Sequence, residues 1–216
     1  MDFILTGAEI AEDTPEYLIL RKGLIHYGLG RADLSETFRK SLMALCMDEE
    51  ASKIMADDGC FDGVMPCWQY VFPENHIELP HPEGFDVRPL TLDDVPFLVR
   101  EYHHPSATPR QMTERVEEGM LGVCHEGNLV GFVGTHAEGS IGLLEVLPDY
   151  RRKGLAKYLM SAMVDDLLKK GRIPYAHVKL GNEASMRLQE HIGMVRAATH
   201  VTWLCKNEEY RKANLI

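Results

Sequence analysis

The chain has 216 residues, of which 45% are hydrophobic and 26% charged, so it is long enough to bury a substantial core and has the balance of a globular domain or two. A formal charge of −10 argues against nucleic acid or an anionic membrane as partner, and no apolar run reaches the ~20 residues of a membrane span. Five scattered cysteines without a CxxC pair argue against a disulfide framework and against a zinc site; with an N-terminus that has no basic region or cleavage pattern, they make the expected location cytoplasmic.

In chain order, residues 1–82 are predicted to form a small, mainly helical lobe. Thr14 caps a helix with Pro15 at its first position, Gly28-Leu29-Gly30 breaks it, and Ser35 opens a second helical run through Phe38, Leu42, Leu45 and Cys46. A further apolar stretch from Ala51 to Met55 stops at Asp58-Gly59. The pair Gly28-x-Gly30 is not read as a dinucleotide fingerprint, since Asp33 stands where a third glycine belongs. Residues 67–72 read as a short strand and 73–84 as a proline-punctuated connection.

Residues 83–216 form the second predicted domain. Phe85 to Leu90 alternates as a strand, and Thr91 with Asp94 makes a capping-box start. A helix then runs from Thr108-Pro109 to Gly119, followed by a hairpin about Glu126-Gly127-Asn128 and a third strand from Ile141 to Leu147. The glycines at 131, 134 and 142 suit bulges or close backbone approach. Beyond a basic turn comes a long amphipathic helix, with Ala156, Met160, Met163, Val164 and Leu167 on one stripe and Lys157, Ser161, Asp165 and Lys169 on the other. Strand 175–180, a helix from Asn182 to Gly193 and a last strand or hairpin at 194–204 complete a mixed α/β pattern, with residues 207–216 as surface.

The basic turn is the chemically informative stretch. Arg151-Arg152-Lys153-Gly154-Leu155-Ala156 sets cations beside a glycine at a helix start. There the first N–H groups lack intrahelical partners and the helix dipole favours negative charge, so the combination can cradle a phosphate.

This segment resembles a known family. Arg151-x-x-Gly154-x-Ala156, preceded by Val146-Leu147-Pro148, matches the Arg/Gln-x-x-Gly-x-Gly/Ala signature of the GNAT superfamily of acyl-CoA-dependent N-acyltransferases. Asn182-x-x-Ser185-x-x-Leu188 followed by Ile192-Gly193-Met194 resembles a second GNAT pattern, and Arg88 to Asp94 echoes the family's opening, so the resemblance spans roughly residues 85–205. Serine at 185 leans towards the glycine N-acyltransferase-like branch.

The resemblance implies a GNAT fold and acetyl-CoA as acyl donor, with no metal. The main chain of Glu145, Val146 and Leu147 would pair with the pantetheine arm. The N–H groups of Arg151, Arg152, Lys153, Gly154, Leu155 and Ala156 would hold the pyrophosphate, their cationic side chains meeting the remaining phosphate charge. Asn182, helped by Ser185, would bond the pantetheine region, although an Asn at such a boundary is also an ordinary helix cap. Glu145 is the first candidate for the base that deprotonates the amine, against its ordinary role as an outward strand carboxylate. The family often has a tyrosine acid after the Leu188 position; here it is Gln189, which leaves the acid unassigned.

The implied partner is a small-molecule amine or amino acid, and a homodimer fits such folds. A non-catalytic acyl-CoA sensor and a protein N-acetyltransferase are the alternatives. Among the histidines, His103-His104 could bind a metal or act as a base in an acceptor pocket, although adjacent residues cannot both face one way on a regular helix; for these, as for His125, His136, His177 and His191, an ordinary structural role is the expectation.

Overall fold

The computed structural model describes residues 8–104 and 107–206. The predicted surface segment 207–216 lies outside them. Two compact units are present: of the described residues, one takes 8–69, 178–183 and 196–206, the other 70–177 and 184–195. The break in the N-terminal half thus falls at 69/70, and most of the last strand returns to the first unit.

In the first unit the mainly helical expectation gives way to strands. β1 (Glu9–Asp13), β2 (Tyr17–Lys22) and β3 (Ile25–Gly30) form an antiparallel meander, and β3 pairs in parallel with β4 (Met43–Cys46), which pairs antiparallel with β11 (Val195–Cys205). The Thr14-Pro15 signal caps a reverse turn instead of a helix. The Thr14 hydroxyl accepts the N–H of Tyr17 at 3.0 Å and donates to its carbonyl at 3.1 Å. Such hydroxyl-closed turns use the same residues as helix caps, and the apolar run 17–20 is too short for periodicity to decide between the two.

Ser35 does cap a helix, accepting the N–H of Phe38 at 3.0 Å, but α1 (Glu36–Arg39) lasts one turn. Ala44, Leu45 and Cys46 are then buried on both faces of β4, the continuous apolar run of an interior strand with a parallel neighbour, which a helical stripe imitates. α2 (Glu49–Asp57) forms where expected, capped by Asp48 and ending at Asp58. Gly28 lies on β3, where a Cβ would meet the Phe38 ring at 2.7 Å, so packing accounts for it. β5 (Gly63–Val71) follows, and the strand order of this sheet is β1-β2-β3-β4-β11-β5-β10, with β10 spanning Tyr175–Lys179.

The second unit contains the antiparallel sheet β6-β7-β8-β9: β6 (Phe85–Pro89), β7 (Leu121–His125), β8 (Asn128–Thr135) and β9 (Ile141–Val146). The predicted capping box is present, Thr91 with Asp94, and leads into α3 (Val95–Glu101). α4 (Pro109–Glu118) begins at capping Thr108 and ends at Gly119, whose φ is +112°. β7 and β8 meet through Glu126 and Gly127, both left-handed at φ +49° and +80°, the conformation of a tight hairpin turn.

The β8–β9 ladder shifts register between Phe132 and Gly134, opposite Leu143, a buried non-glycine at φ +50°. This is a bulge in β9. At Gly131 the facing backbone leaves no room for a side chain, since a Cβ there would meet the Glu145 carbonyl oxygen at 2.8 Å.

α5 (Leu155–Lys169) packs across β7, β8 and β9. It buries Leu155, Leu159, Met160, Met163, Val164 and Leu167, each stabilising the fold by about 1.5–3 kcal/mol on transfer from water. Ser161, expected on the solvent side, is only 1% exposed, so the buried face is wider than the apolar stripe suggests. α6 (Glu183–His191) follows β10 and leads into β11.

Candidate functional site

β9 lies at the edge of its four-stranded sheet and runs directly into the basic turn. Pro148–Tyr150 makes one 3-10 turn, with the N–H of Arg151 closing on the Pro148 carbonyl at 3.2 Å. Beyond it Arg152 (φ +66°) and Gly154 (φ +80°) are both left-handed. Alternation of this kind turns successive N–H groups to one side and forms a concave anion nest. No acceptor among the described residues meets the N–H groups of Arg152, Lys153, Gly154, Leu155 or Ala156, and Gly154, as N-cap of α5, supplies no side-chain cap. Nothing lies within 4 Å of where a Gly154 Cβ would sit, so glycine is needed there for its φ and leaves open space.

The side chains divide the work. Arg151 folds back: its Nε donates to the Val146 carbonyl at 2.9 Å and its Nη2 to Glu145 Oε1 at 3.0 Å. Its charge is therefore held on β9, while Arg152, Lys153 and Lys157 are exposed around the turn. The Lys153 ammonium lies over the Tyr150 ring, 4.9 Å from its centroid.

Tyr150 in turn meets Phe85 edge-on, and Phe85 stacks on His125 at 4.7 Å. His125 Nδ1 is 2.8 Å from the Gly84 carbonyl. Sequence reading missed this aromatic buttress, because its members lie on three separate stretches of chain. Glu145, Val146, Leu147 and the whole of 151–156 thus sit together in the second unit, as does Ser185 on α6. Asn182 belongs to the first unit, where its N–H donates to the Lys179 carbonyl at 3.1 Å.

At the opposite end of β9 a second group of polar side chains gathers. The β8–β9 connection is a turn in which the His136 N–H donates to the Ser140 carbonyl at 2.9 Å and the Gly139 N–H to the His136 carbonyl at 2.8 Å. The Glu138 carboxylate is 6% exposed and accepts a hydrogen bond from the Ser140 hydroxyl, while the Tyr175 hydroxyl donates to the Glu138 carbonyl at 2.8 Å. His177, two residues along β10 from Tyr175, has its ring 5.5 Å away.

Burial, reinforced by His136, pushes His177 down to about 4, so it is neutral at ordinary pH. Burial and His136 also lower His104, and burial with the nearby Glu145 raises Tyr102. His191 faces its own helix, Nδ1 being 2.9 Å from the Arg187 carbonyl. Gln189 is 4% exposed, with its Oε1 receiving no hydrogen bond.

No group of three or more metal-binding side chains occurs among the described residues, nor is any described helix long and apolar enough to cross a membrane. None of the five cysteines is in a disulfide; burial drives Cys46 up to about 11 and Cys67 to about 12, which keeps both thiols protonated near neutrality.

Residues 120–204 match the family model described as FR47-like protein. That span starts just before β7 and takes in the turn, α5 and α6. Solved structures align over nearly the whole chain. A GCN5-related N-acetyltransferase-like protein from Streptococcus suis shares 18% identity over 94% of this chain and 92% of its own, with a TM-score of 0.59. The fold is that of the GCN5-related N-acetyltransferases.

A GCN5-related N-acetyltransferase from Kribbella flavida has the same GNAT fold at 13% identity, covering 94% of this chain and 91% of its own, TM-score 0.61. A Drosophila protein aligns at 18% identity over 88% of this chain and 75% of its own, TM-score 0.66. No curated protein matches the sequence. Within the GNAT fold, the nest, the edge strand and the long helix occupy one continuous stretch, 141–169.

Proposed function

We propose that this protein is an acyl-CoA-dependent N-acyltransferase that moves an acetyl group from acetyl-CoA to the primary amine of a small molecule or amino acid by direct attack. The observation that carries this reading is the run of five N–H groups from Arg152 to Ala156 that meet no acceptor among the described residues, at the end of an edge strand. A diphosphate satisfies such donors, and the exposed Arg152, Lys153 and Lys157 add charge complementarity.

The residues present suit the cofactor's other parts as well. The outer edge of β9 at Glu145–Leu147 offers main-chain groups to an extended amide-bearing arm, with Arg151 as a competitor for the Val146 carbonyl. Ser185, in the same unit, is proposed to bond the same arm. Acetyl-CoA supplies the activated thioester. The protein supplies orientation, a main-chain donor near Val146 for the developing oxyanion and, on the acceptor side, a group to take the amine's proton. Ser185 is the residue that favours the glycine N-acyltransferase-like branch. We assign the transferase domain to 83–216, the bounds read from the sequence, and propose that the protein is cytoplasmic and homodimeric.

Calorimetry with acetyl-CoA, together with thiol release across a panel of primary amines, tests the proposal. Acceptor-dependent release is the expected result, and absence of acetyl-CoA binding overturns it. Gln189 favours a second reading, a non-catalytic acyl-CoA sensor, since a buried carboxamide cannot donate a proton to a departing thiolate. Binding without release from any amine would select that reading. A protein acetyltransferase would differ only in turning over lysine peptides in place of small amines.

A further inference from the structure

Within the transferase reading, we propose that His136 is the catalytic base, taking the acceptor amine's proton at the end of β9 remote from the nest. Gly142 has no side chain, and the His136 ring fills its place: an added Cβ would overlap the imidazole, with Nε2 the nearest atom. The ring therefore lies over the β9 backbone on the N-terminal side of the Leu143 bulge. Glu145, Val146 and the nest follow on the C-terminal side. One strand thus presents an anion site at one end and an imidazole at the other, the order in which a cofactor held along β9 would meet an incoming amine.

The neighbouring groups are each committed elsewhere. Glu145 is ion-paired to Arg151 at 3.0 Å, and Glu138 is buried and bonded to Ser140. His177 on β10 and Tyr102 after α3 stay uncharged at neutral pH, and His104 lies on the exposed segment beyond Tyr102. The Arg172 guanidinium lies against the turn at Gly139. By contrast the His136 imidazole is half-buried and makes no side-chain hydrogen bond among the described residues. A base needs that combination: partial shelter, and a ring nitrogen left for substrate.

In the step itself, an ammonium acceptor gives one proton to a His136 ring nitrogen. The freed lone pair attacks the thioester carbonyl carbon, and the C–S bond then breaks with its electron pair leaving on sulfur. The nitrogen loses its second proton as the amide forms, and that proton goes to the thiolate or to water. The products are the amide, the free thiol and one net proton.

The test uses the full chain, with thiol release from acetyl-CoA measured both without amine, where water is the acceptor, and with spermidine, tyramine, glycine and a lysine peptide. His136→Gln and His136→Ala are expected to bind acetyl-CoA within about twofold of wild type yet release thiol about 100-fold more slowly, losing the limb on which activity rises with pH. Added imidazole should restore part of the His136→Ala rate. Release by His136→Gln within about threefold of wild type, with that limb unchanged, overturns the assignment. Failure of wild type to bind acetyl-CoA instead removes the transferase reading on which it rests.

Discussion

The Arg151 guanidinium grips β9 at two points, the Glu145 carboxylate at 3.0 Å and the Val146 carbonyl at 2.9 Å. The first residue of the family-like signature thus works as a brace between strand and turn, and the cations behind it face outward. Both partners are partly exposed, Arg151 at 57% and Glu145 at 27%, so the pair contributes about 1 kcal/mol or less. A double-mutant cycle of Arg151→Ala and Glu145→Ala in urea should give a coupling of about 0.5–1 kcal/mol. Glu145→Gln should slow thiol release by less than about tenfold; a loss near 100-fold would return the base's role to Glu145.

Gly154 separates conformation from charge. At φ +80° an alanine there should cost about 1 kcal/mol, with no steric clash, since nothing lies within 4 Å of its Cβ. Gly154→Ala should therefore keep most of its acetyl-CoA affinity, whereas Gly154→Asp places a carboxylate in the nest and should lower affinity at least about tenfold further by repulsion. Equal calorimetric affinities for the two variants would refute the phosphate assignment.

Asp94 gives the fold an acid-sensitive joint. Hydrogen bonds from Arg88, at 2.8 Å to each carboxylate oxygen, lower it to about 2, outweighing burial, with the Thr91 N–H and hydroxyl adding to the effect. A carboxylate lowered in the fold stabilises it above the unfolded value and loses that contribution as pH falls through the folded one. Because Arg88 is 42% exposed, the contribution is discounted to about 1–2 kcal/mol. Asp94→Asn should lower urea stability by that amount at pH 7, and the gap should close between about pH 4 and pH 2. A gap independent of pH would assign the loss to packing.

His177 acts over a higher window. Lowered to about 4 by burial, it stays neutral in the fold while the unfolded chain takes up a proton near 6.5. Between those values the unfolded state binds more protons, so stability falls as pH drops from about 6.5 to about 4, by about 1–3 kcal/mol. His177→Gln, which cannot charge, should flatten the wild-type difference in urea midpoint between pH 7 and pH 5. An unchanged difference would place the acid sensitivity elsewhere.

The second unit was the more legible half. Each boundary there carries a local chemical mark: Thr91 and Asp94 cap each other, Thr108 with Pro109 opens α4, Gly119 ends it, and Glu126-Gly127 turns the hairpin. In the first unit the marks were present but ambiguous. Thr14-Pro15 closes a turn as readily as it starts a helix, and Ala44, Leu45 and Cys46 are apolar because β4 is covered on both faces, a property of its neighbours on the sheet.

The amino-acid sequence by itself determined the local chemistry: a glycine able to adopt positive φ before a helix, cations around it, and an apolar strand leading in, all within about 20 residues, where short-range sterics and hydrogen bonding are enough. Only the tertiary structure decided how those groups are spent. That Arg151 turns back onto Glu145, that Phe85 and His125 buttress Tyr150, and that His136 crosses onto Gly142 all depend on residues distant along the chain meeting through strand register and packing. Contacts of that kind are selected by the folded backbone, and no spacing in the sequence records them.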